Sequence, residues 1–227
     1  MKNKSYIGFS FIILLFGIYA IPKIVNRIKN GTVVQNDRMS SGNETFKAES
    51  LIEMHKAPKF DLTNQDGKQI SNANYIGKVY LVEFFFTTCP SICPIMNHNM
   101  VKIQNQFLKN NDFGIVSISI NPENDTPKIL KEYAKNFGAT STNWHFLTGD
   151  KKTIYEIANN GFNVFVGENA KVNGGFEHSG LFALIDKNGM IRCRKDVNDN
   201  PIGYYDGLDK KGVEQIIEDI TILLKEK

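Results

Sequence analysis

The chain has 227 residues, 41% of them hydrophobic, and a net charge of +3 spread along its length. That bias is too weak for a nucleic-acid surface, and no DNA- or RNA-binding motif accompanies it. Three cysteines are too few for a disulfide framework, so cysteine chemistry here has to come from particular positions.

The N-terminus, "MKNKSYIGFSFIILLFGIYAIPKIVNRIKN", holds an uncharged run from Tyr6 to Ile21. The run is slightly short of the roughly 17–25 residues that span a bilayer as a helix. Lys2 and Lys4 would begin a secretory signal cleaved near Ala20, but no A-x-A pattern is present, which favours an uncleaved membrane anchor over residues 1–22. The segment contains no cysteine, so N-terminal lipidation has no attachment point there. Lys23, Arg27 and Lys29 follow, and an excess of basic residues on this side is the charge pattern of a cytoplasmic domain. Residues 23–56 are polar and irregular and read as a flexible linker. The remaining stretch, residues 57–227, is about the size of one domain.

Within that domain "KFDLTNQDGKQIS" reads as a hairpin turning at Asp66-Gly67. "GKVYLVEFFFT" is a near-continuous apolar run, the pattern of a central strand covered on both faces. After Pro94 the apolar residues Ile95, Met96, Met100, Ile103 and Phe107 recur at helical spacings. "FGIVSISIN" is the next strand. "DTPKILKEYAKNFG" is a helix with Asp125 or Thr126 as cap and Pro127 in its first turn. "NWHFLTG" is a strand, "DKKTIYEIANNG" a helix, and "HSGLFALIDKNGMIRCRK" a hairpin turning at Asn188-Gly189. "DKKGVEQIIEDITILLKE" is a closing amphipathic helix. Strands alternating with helices, then a hairpin and a helix, predict an α/β, thioredoxin-like mixed sheet flanked by helices, with an N-terminal β-hairpin extension.

Cys89 and Cys93 sit in "TTCPSICPIM", where the apolar strand hands over to a helix. Unpaired N–H groups and the helix dipole there favour a thiolate. A thiol–disulfide oxidoreductase has C-x-x-C at such a place. This chain has C-x-x-x-C, which sets the two thiols about one helical turn apart. They can chelate a soft ion such as Cu(I), or form a disulfide. Of the four histidines, His55 lies in the linker, His98 on the new helix as a surface residue, and His145 at a strand start in a structural role. His178 ends the glycine-rich approach "KVNGGFEHSG". In a thioredoxin-like plan that approach lies against the cysteines and carries a cis-proline, which His178-Ser179 replaces here. A histidine facing two thiolates makes a Cys2His set suited to copper.

With "FFFTTCPSICPIM", "NPENDTPKILKEYAKNFG" and "FEHSGLFALIDKNGMI" the sequence resembles the Sco/SenC family of thioredoxin-like copper chaperones, from about Ala57 to the C-terminus. The resemblance implies Cys89, Cys93 and His178 as copper ligands and Cys89 with Cys93 as a redox pair. It implies delivery of copper to, or thiol reduction of, the dinuclear copper (CuA) site of cytochrome c oxidase subunit II. It also implies an inner-membrane anchor with the domain facing the periplasm, against the basic excess after Ile21. The family often has an aspartate at each end of its D-P-x-x-D-T loop; here Asn121 replaces the first and Asp125 remains. Many members have aspartate before the histidine, where this chain has Glu177. Asp125 is read as a helix cap, or as a charge beside the site or at a partner surface.

Glu83, Phe85 and Thr87 share one face of the apolar strand. A lone buried carboxylate is costly, so Glu83 either lies under the cysteines with a raised pKa and exchanges protons with them, or is paired near a sheet end. Met96 and Met100 read as core residues. Cys193 has no evident partner and reads as a free thiol open to an intermolecular link. Two other functions compete with copper handling. A thiol–disulfide oxidoreductase lacks its C-x-x-C and cis-proline here, and a thiol peroxidase lacks a proline before Cys89 and an arginine in the motif.

Overall fold

The computed structural model describes Tyr19, Ile21, Pro22, residues 51–172 and residues 174–226. Apart from Tyr19, Ile21 and Pro22, the expected anchor lies outside the described residues, as does the expected linker before residue 51. Among the described residues no helix is long and apolar enough to cross a membrane.

The domain is a nine-stranded mixed sheet with a separate two-stranded ribbon. Its strands are β1 (Ile52–Lys56), β2 (Asp61–Asn64), β3 (Gln69–Ser71), β4 (Val79–Phe85), β5 (Phe113–Ser119), β6 (Trp144–Thr148), β9 (Leu181–Ile185), β10 (Met190–Cys193) and β11 (Tyr205–Asp206). The ribbon is β7 (Val166–Glu168) with β8 (Phe176–His178). Across the sheet the order is β1-β10-β9-β4-β5-β6-β2-β3, and β11 pairs with β9. Helices are α1 (Ile92–Phe107), α2 (Pro127–Phe137), α3 (Lys151–Glu156) and α4 (Lys210–Lys225).

The centre of the sheet is parallel: β4 pairs with β5, and β5 with β6, while β9 runs antiparallel to β4. All seven residues of β4 and all seven of β5 are buried, which is why their sequences are apolar on both faces. Two βαβ steps in the same direction, β4 to β5 to β6, place α1 and α2 on one face by the right-handed crossover rule. On that face Phe85 packs against Tyr133 of α2 with ring centroids 5.3 Å apart. On the opposite face Phe84 meets Phe162 edge-on at 5.8 Å. Phe162 closes a π turn, Ile157–Gly161, that continues α3. Adjacent residues of one strand therefore anchor the two layers.

The expected hairpin is β2–β3, and the expected second hairpin is β9–β10. Thr126 caps α2 with Pro127 in its first turn. Two elements differ from the sequence reading. Ile52–Lys56, expected inside the flexible linker, is strand β1 and pairs antiparallel with β10. Its side chains are mostly exposed, so only backbone pairing with a distant strand gives it order. The β7–β8 ribbon was also not expected, because its strands of three residues each are too short to show a period.

Helix α4 is held by a buried ion pair. Arg194 donates from Nε to Asp219 Oδ2 at 2.9 Å and from Nη2 to Asp219 Oδ1 at 2.7 Å. Tyr205 Oη donates to the same carboxylate at 2.5 Å, so Asp219 is fully satisfied although sealed from water. Removing Asp219 leaves the buried Arg194 guanidinium with only the exposed Glu218 carboxylate and the Gln215 carbonyl as partners. Asp219→Ala is expected to lose about 3–5 kcal/mol of folding free energy in urea titrations.

Candidate metal centre

The site begins where β4 ends. Phe86, Thr87 and Thr88 lead to Cys89, and Ser91 is the N-cap residue of α1. Cys93 is thus the second residue of the helix and fully buried, whereas Cys89 is 8% exposed with exposed Pro90 and Ser91 beside it. The strand end is fixed by Asp125, from the loop before α2. Its carboxylate accepts from Thr87 N at 3.0 Å, from Thr87 Oγ1 and Ser119 Oγ at 2.5 Å each, and from Asn124 Nδ2 at 2.8 Å. Asp125 is fully buried. It is therefore neither the cap of α2 nor a charge at a partner surface, but a buried acceptor two residues from the cysteine loop.

The third side chain arrives from the ribbon. His178 Nε2 lies 3.2 Å from Cys93 Sγ and 3.9 Å from Cys89 Sγ. All three donor atoms fall within 4.8 Å of one another, the one such group of histidine, cysteine or carboxylate side chains among the described residues. His178 Nδ1 is 3.1 Å from Ser179 O, a carbonyl that only accepts. Nδ1 is thus directed at a backbone carbonyl and Nε2 at the two sulfurs, the ring orientation of a histidine that can ligate a metal through Nε2. Phe86 stacks its ring against the approach: Phe176 lies 5.2 Å away and His178 5.6 Å away, edge-on. Gly174 crosses Pro90 so closely that a Cβ would sit 3.0 Å from Pro90 Cδ, and its φ is +93°, so no other residue fits easily.

All three cysteines are free thiols. The pair shares its proton unequally. Cys93 donates to Cys89, and His178 adds a second contact, so the Cys89 pKa falls to about 3 despite partial burial. The same hydrogen bond, with burial, pushes the Cys93 thiol up. Cys89 is then the thiolate and Cys93 holds the proton. Two sulfurs and an imidazole nitrogen are a soft, three-coordinate donor set that suits Cu(I).

Other sequence candidates take structural roles. His98 is exposed, with Nδ1 2.7 Å from Pro94 O, and His145 is half-buried beside Asn64. His55 lies exposed on β1. Met96 and Met100 are fully buried in the core. Cys193 is also fully buried, which corrects the expectation that it is open to an intermolecular link. Glu177 is half-buried and accepts from Asn169.

Beneath the cysteines lies Glu83, fully buried. Its Oε1 accepts from Ser117 Oγ at 2.6 Å, and Oε2 has no hydrogen-bond partner. Burial raises its pKa to about 7, and the Ser117 hydrogen bond only partly offsets this. Among the described residues no cation pairs with it, so the reading of a carboxylate with a raised pKa holds over that of an ion pair.

The comparisons with known proteins agree with this geometry. The SCO1/SenC family model matches residues 49–211. The chain belongs to the SCO1/SenC family. It is 34% identical over 172 residues to the SCO1 protein homolog of Bacillus subtilis, covering 73% of this chain and 81% of that one. A SCO1/SenC family lipoprotein from Bacillus anthracis superposes with a TM-score of 0.67 at 31% identity, over 78% of this chain and 99% of that one. BsSco, described as a cytochrome c oxidase assembly protein with a disulfide switch, gives 0.65 at 31% identity, over 78% and 98%. Yeast Sco1 with copper bound gives 0.56 at 25% identity, over 77% and 96%. The Cys2His group of this chain is a set that can bind copper.

The raised Glu83 pKa sets a pH dependence. An acid whose folded pKa lies above its unfolded value destabilises progressively as pH rises from the unfolded pKa, near 4.5, to the folded one, near 7. Glu83→Gln is expected to match wild type near pH 4 and to exceed it by roughly 3 kcal/mol above pH 7, read by denaturant titration across that range. Equal stability differences at both ends would show that Glu83 does not titrate there. The same variant tests proton exchange with the cysteines, because an unchanged thiolate titration curve would exclude it.

Proposed function

We propose that this domain is a copper metallochaperone with a redox-active cysteine pair, and that Cys89, Cys93 and His178 are its metal ligands. The observation that carries the proposal is the convergence of two sulfurs and one imidazole nitrogen within 4.8 Å. The family's members described above as copper-bound and as oxidase assembly proteins extend the reading to its target. Copper is the cargo, and the acceptor is the CuA site of cytochrome c oxidase subunit II or a related copper site. The N-terminal segment tethers the domain to the inner membrane, with the domain on the periplasmic or outer side.

The thiol state gates the cargo. Reduced, the pair offers two sulfur ligands. Oxidation by an acceptor disulfide joins Cys89 Sγ to Cys93 Sγ and passes two electrons and the one proton of the pair to the acceptor, whose second thiolate takes its proton from water. Both sulfurs are then lost to metal binding. The acceptor's cysteines are thereby reduced, so copper delivery and thiol reduction use the same two residues. The low Cys89 pKa favours the second reading, thiol–disulfide reduction, since it keeps the nucleophile ionised. Among the described residues no arginine is free for a thiol peroxidase: Arg192 is engaged by Asp186 and Glu226, and Arg194 by Asp219 and Glu218.

The test is Cu(I) competition against a chromogenic chelator, with the full chain reduced and free of oxygen. A single tightly held copper is expected, lost in Cys93→Ser and weakened in His178→Ala. Absence of tight copper, together with a readily cycled Cys89–Cys93 disulfide, would make the protein a thiol reductase and His178 an ordinary loop residue.

A further inference from the structure

His178 stands on a three-residue strand whose ribbon is no part of the main sheet. Its position therefore depends on whatever holds β7 and β8 in place. In the ribbon Val166 lies directly opposite His178. Directly opposed residues of an antiparallel pair either exchange both backbone hydrogen bonds or neither. Val166 spends its backbone groups elsewhere. Val166 N donates to Asn159 Oδ1 at 3.0 Å, and Val166 O accepts from Asn159 Nδ2 at 3.1 Å. The pair is thus of the non-hydrogen-bonded kind, with side chains close together, and the outer edge of β7 is sealed by one side-chain amide. Asn159 supplies there the donor and acceptor that a third strand would supply.

The amide is displayed by an unusual turn. Asn159 is the third residue of the π turn Ile157–Gly161. Phe162 N reaches back to Ile157 O at 2.9 Å, the five-residue spacing of a π turn. Val164 N then bonds Ala158 O at 2.9 Å, which turns the chain from the π turn toward β7. Asn159, Asn160 and Gly161 are poor helix formers, so the α3 helix loosens here at small cost. Single π turns inside helices are frequent at functional sites, and this one presents an amide to the strand opposite the histidine.

We propose that Asn159 is a positioning residue for the metal centre: by pairing both backbone groups of Val166 it holds the β7–β8 ribbon where His178 Nε2 faces the cysteine pair. The inference rests on the copper reading for its binding arm alone. Groups that orient metal ligands typically change affinity by about 10–100-fold when removed. Asn159→Ala is expected to weaken Cu(I) binding by that factor. In the His178→Ala background the same substitution is expected to change nothing further, because Asn159 acts through His178. Asn159→Asp, which keeps the acceptor for Val166 N and loses the donor to Val166 O, is expected to fall between wild type and Asn159→Ala. A copper-free measurement runs beside these: amide hydrogen exchange at Val166, and at Gly167 and Glu177 of the adjacent hydrogen-bonded pair, is expected to speed up in Asn159→Ala, with exchange in β4 and β5 unchanged. Unchanged Cu(I) affinity and unchanged exchange in Asn159→Ala would overturn the proposal. So would an equal affinity loss with His178 already removed, since Asn159 would then act on the fold or on the cysteines. A wild type with no Cu(I) binding, or with binding indifferent to His178→Ala, overturns the copper reading instead, and the exchange measurement then decides the positioning role by itself.

Discussion

The site depends on a carboxylate that has no cation. Asp125 is sealed from solvent and is stabilised by four donors from Thr87, Ser119 and Asn124. Charge-assisted hydrogen bonds of this kind are stronger than neutral ones, and they are directional. They join the end of β4, the end of β5 and the loop entering α2 at one point. The chain leaves that point as the cysteine loop. Without the clamp the last ordered residue before Cys89 would be free to swing, and the sulfur with it. The clamp also explains why a buried aspartate is tolerated: every oxygen lone pair that faces protein has a donor.

From this fixed end the rest of the centre is assembled by elements that are distant in sequence. Helix α1 brings Cys93, with Asn97 Nδ2 on its backbone carbonyl at 2.9 Å and on Tyr133 Oη at 3.1 Å. The ribbon brings His178 across Phe86 and Pro90. Two of the three donors are therefore set by the main sheet and its helix, and the third by a separate ribbon. The sulfurs are held tightly while the imidazole is carried on the least integrated piece of the domain.

Much of this was legible in the chain. The apolar run of β4, the helical spacing after Pro94 and the turn signals at Asp66-Gly67 and Asn188-Gly189 each correspond to an observed element, because each is a local pattern with a period or a turn residue behind it. The cysteine pair and His178 were legible because residue chemistry, place in the fold and a family resemblance pointed to the same three positions. Glu83 was legible as a lone acid in an apolar strand. What escaped was non-local. Strand β1 has no amphipathic pattern and exists only through its pairing with β10. The β7–β8 ribbon is too short to carry a period, and Asn159 reads in sequence as one half of an Asn-Asn-Gly helix end. Asp125 was legible as a special residue, yet its burial depends on loops that meet only after folding.

Cys193 lies sealed in β10, opposite Ile52 of β1, with its thiol pKa raised by burial. Three cysteines permit three intramolecular disulfides on paper. In the folded domain only one couple is in place, since Cys89 and Cys93 converge within 4.8 Å and Cys193 is no part of that group. Oxidation therefore has one product and reduction one starting point, with no isomers to sort. Strand β1 closes the edge of the strand that carries Cys193, so the sulfur left out of the couple sits between two paired strands.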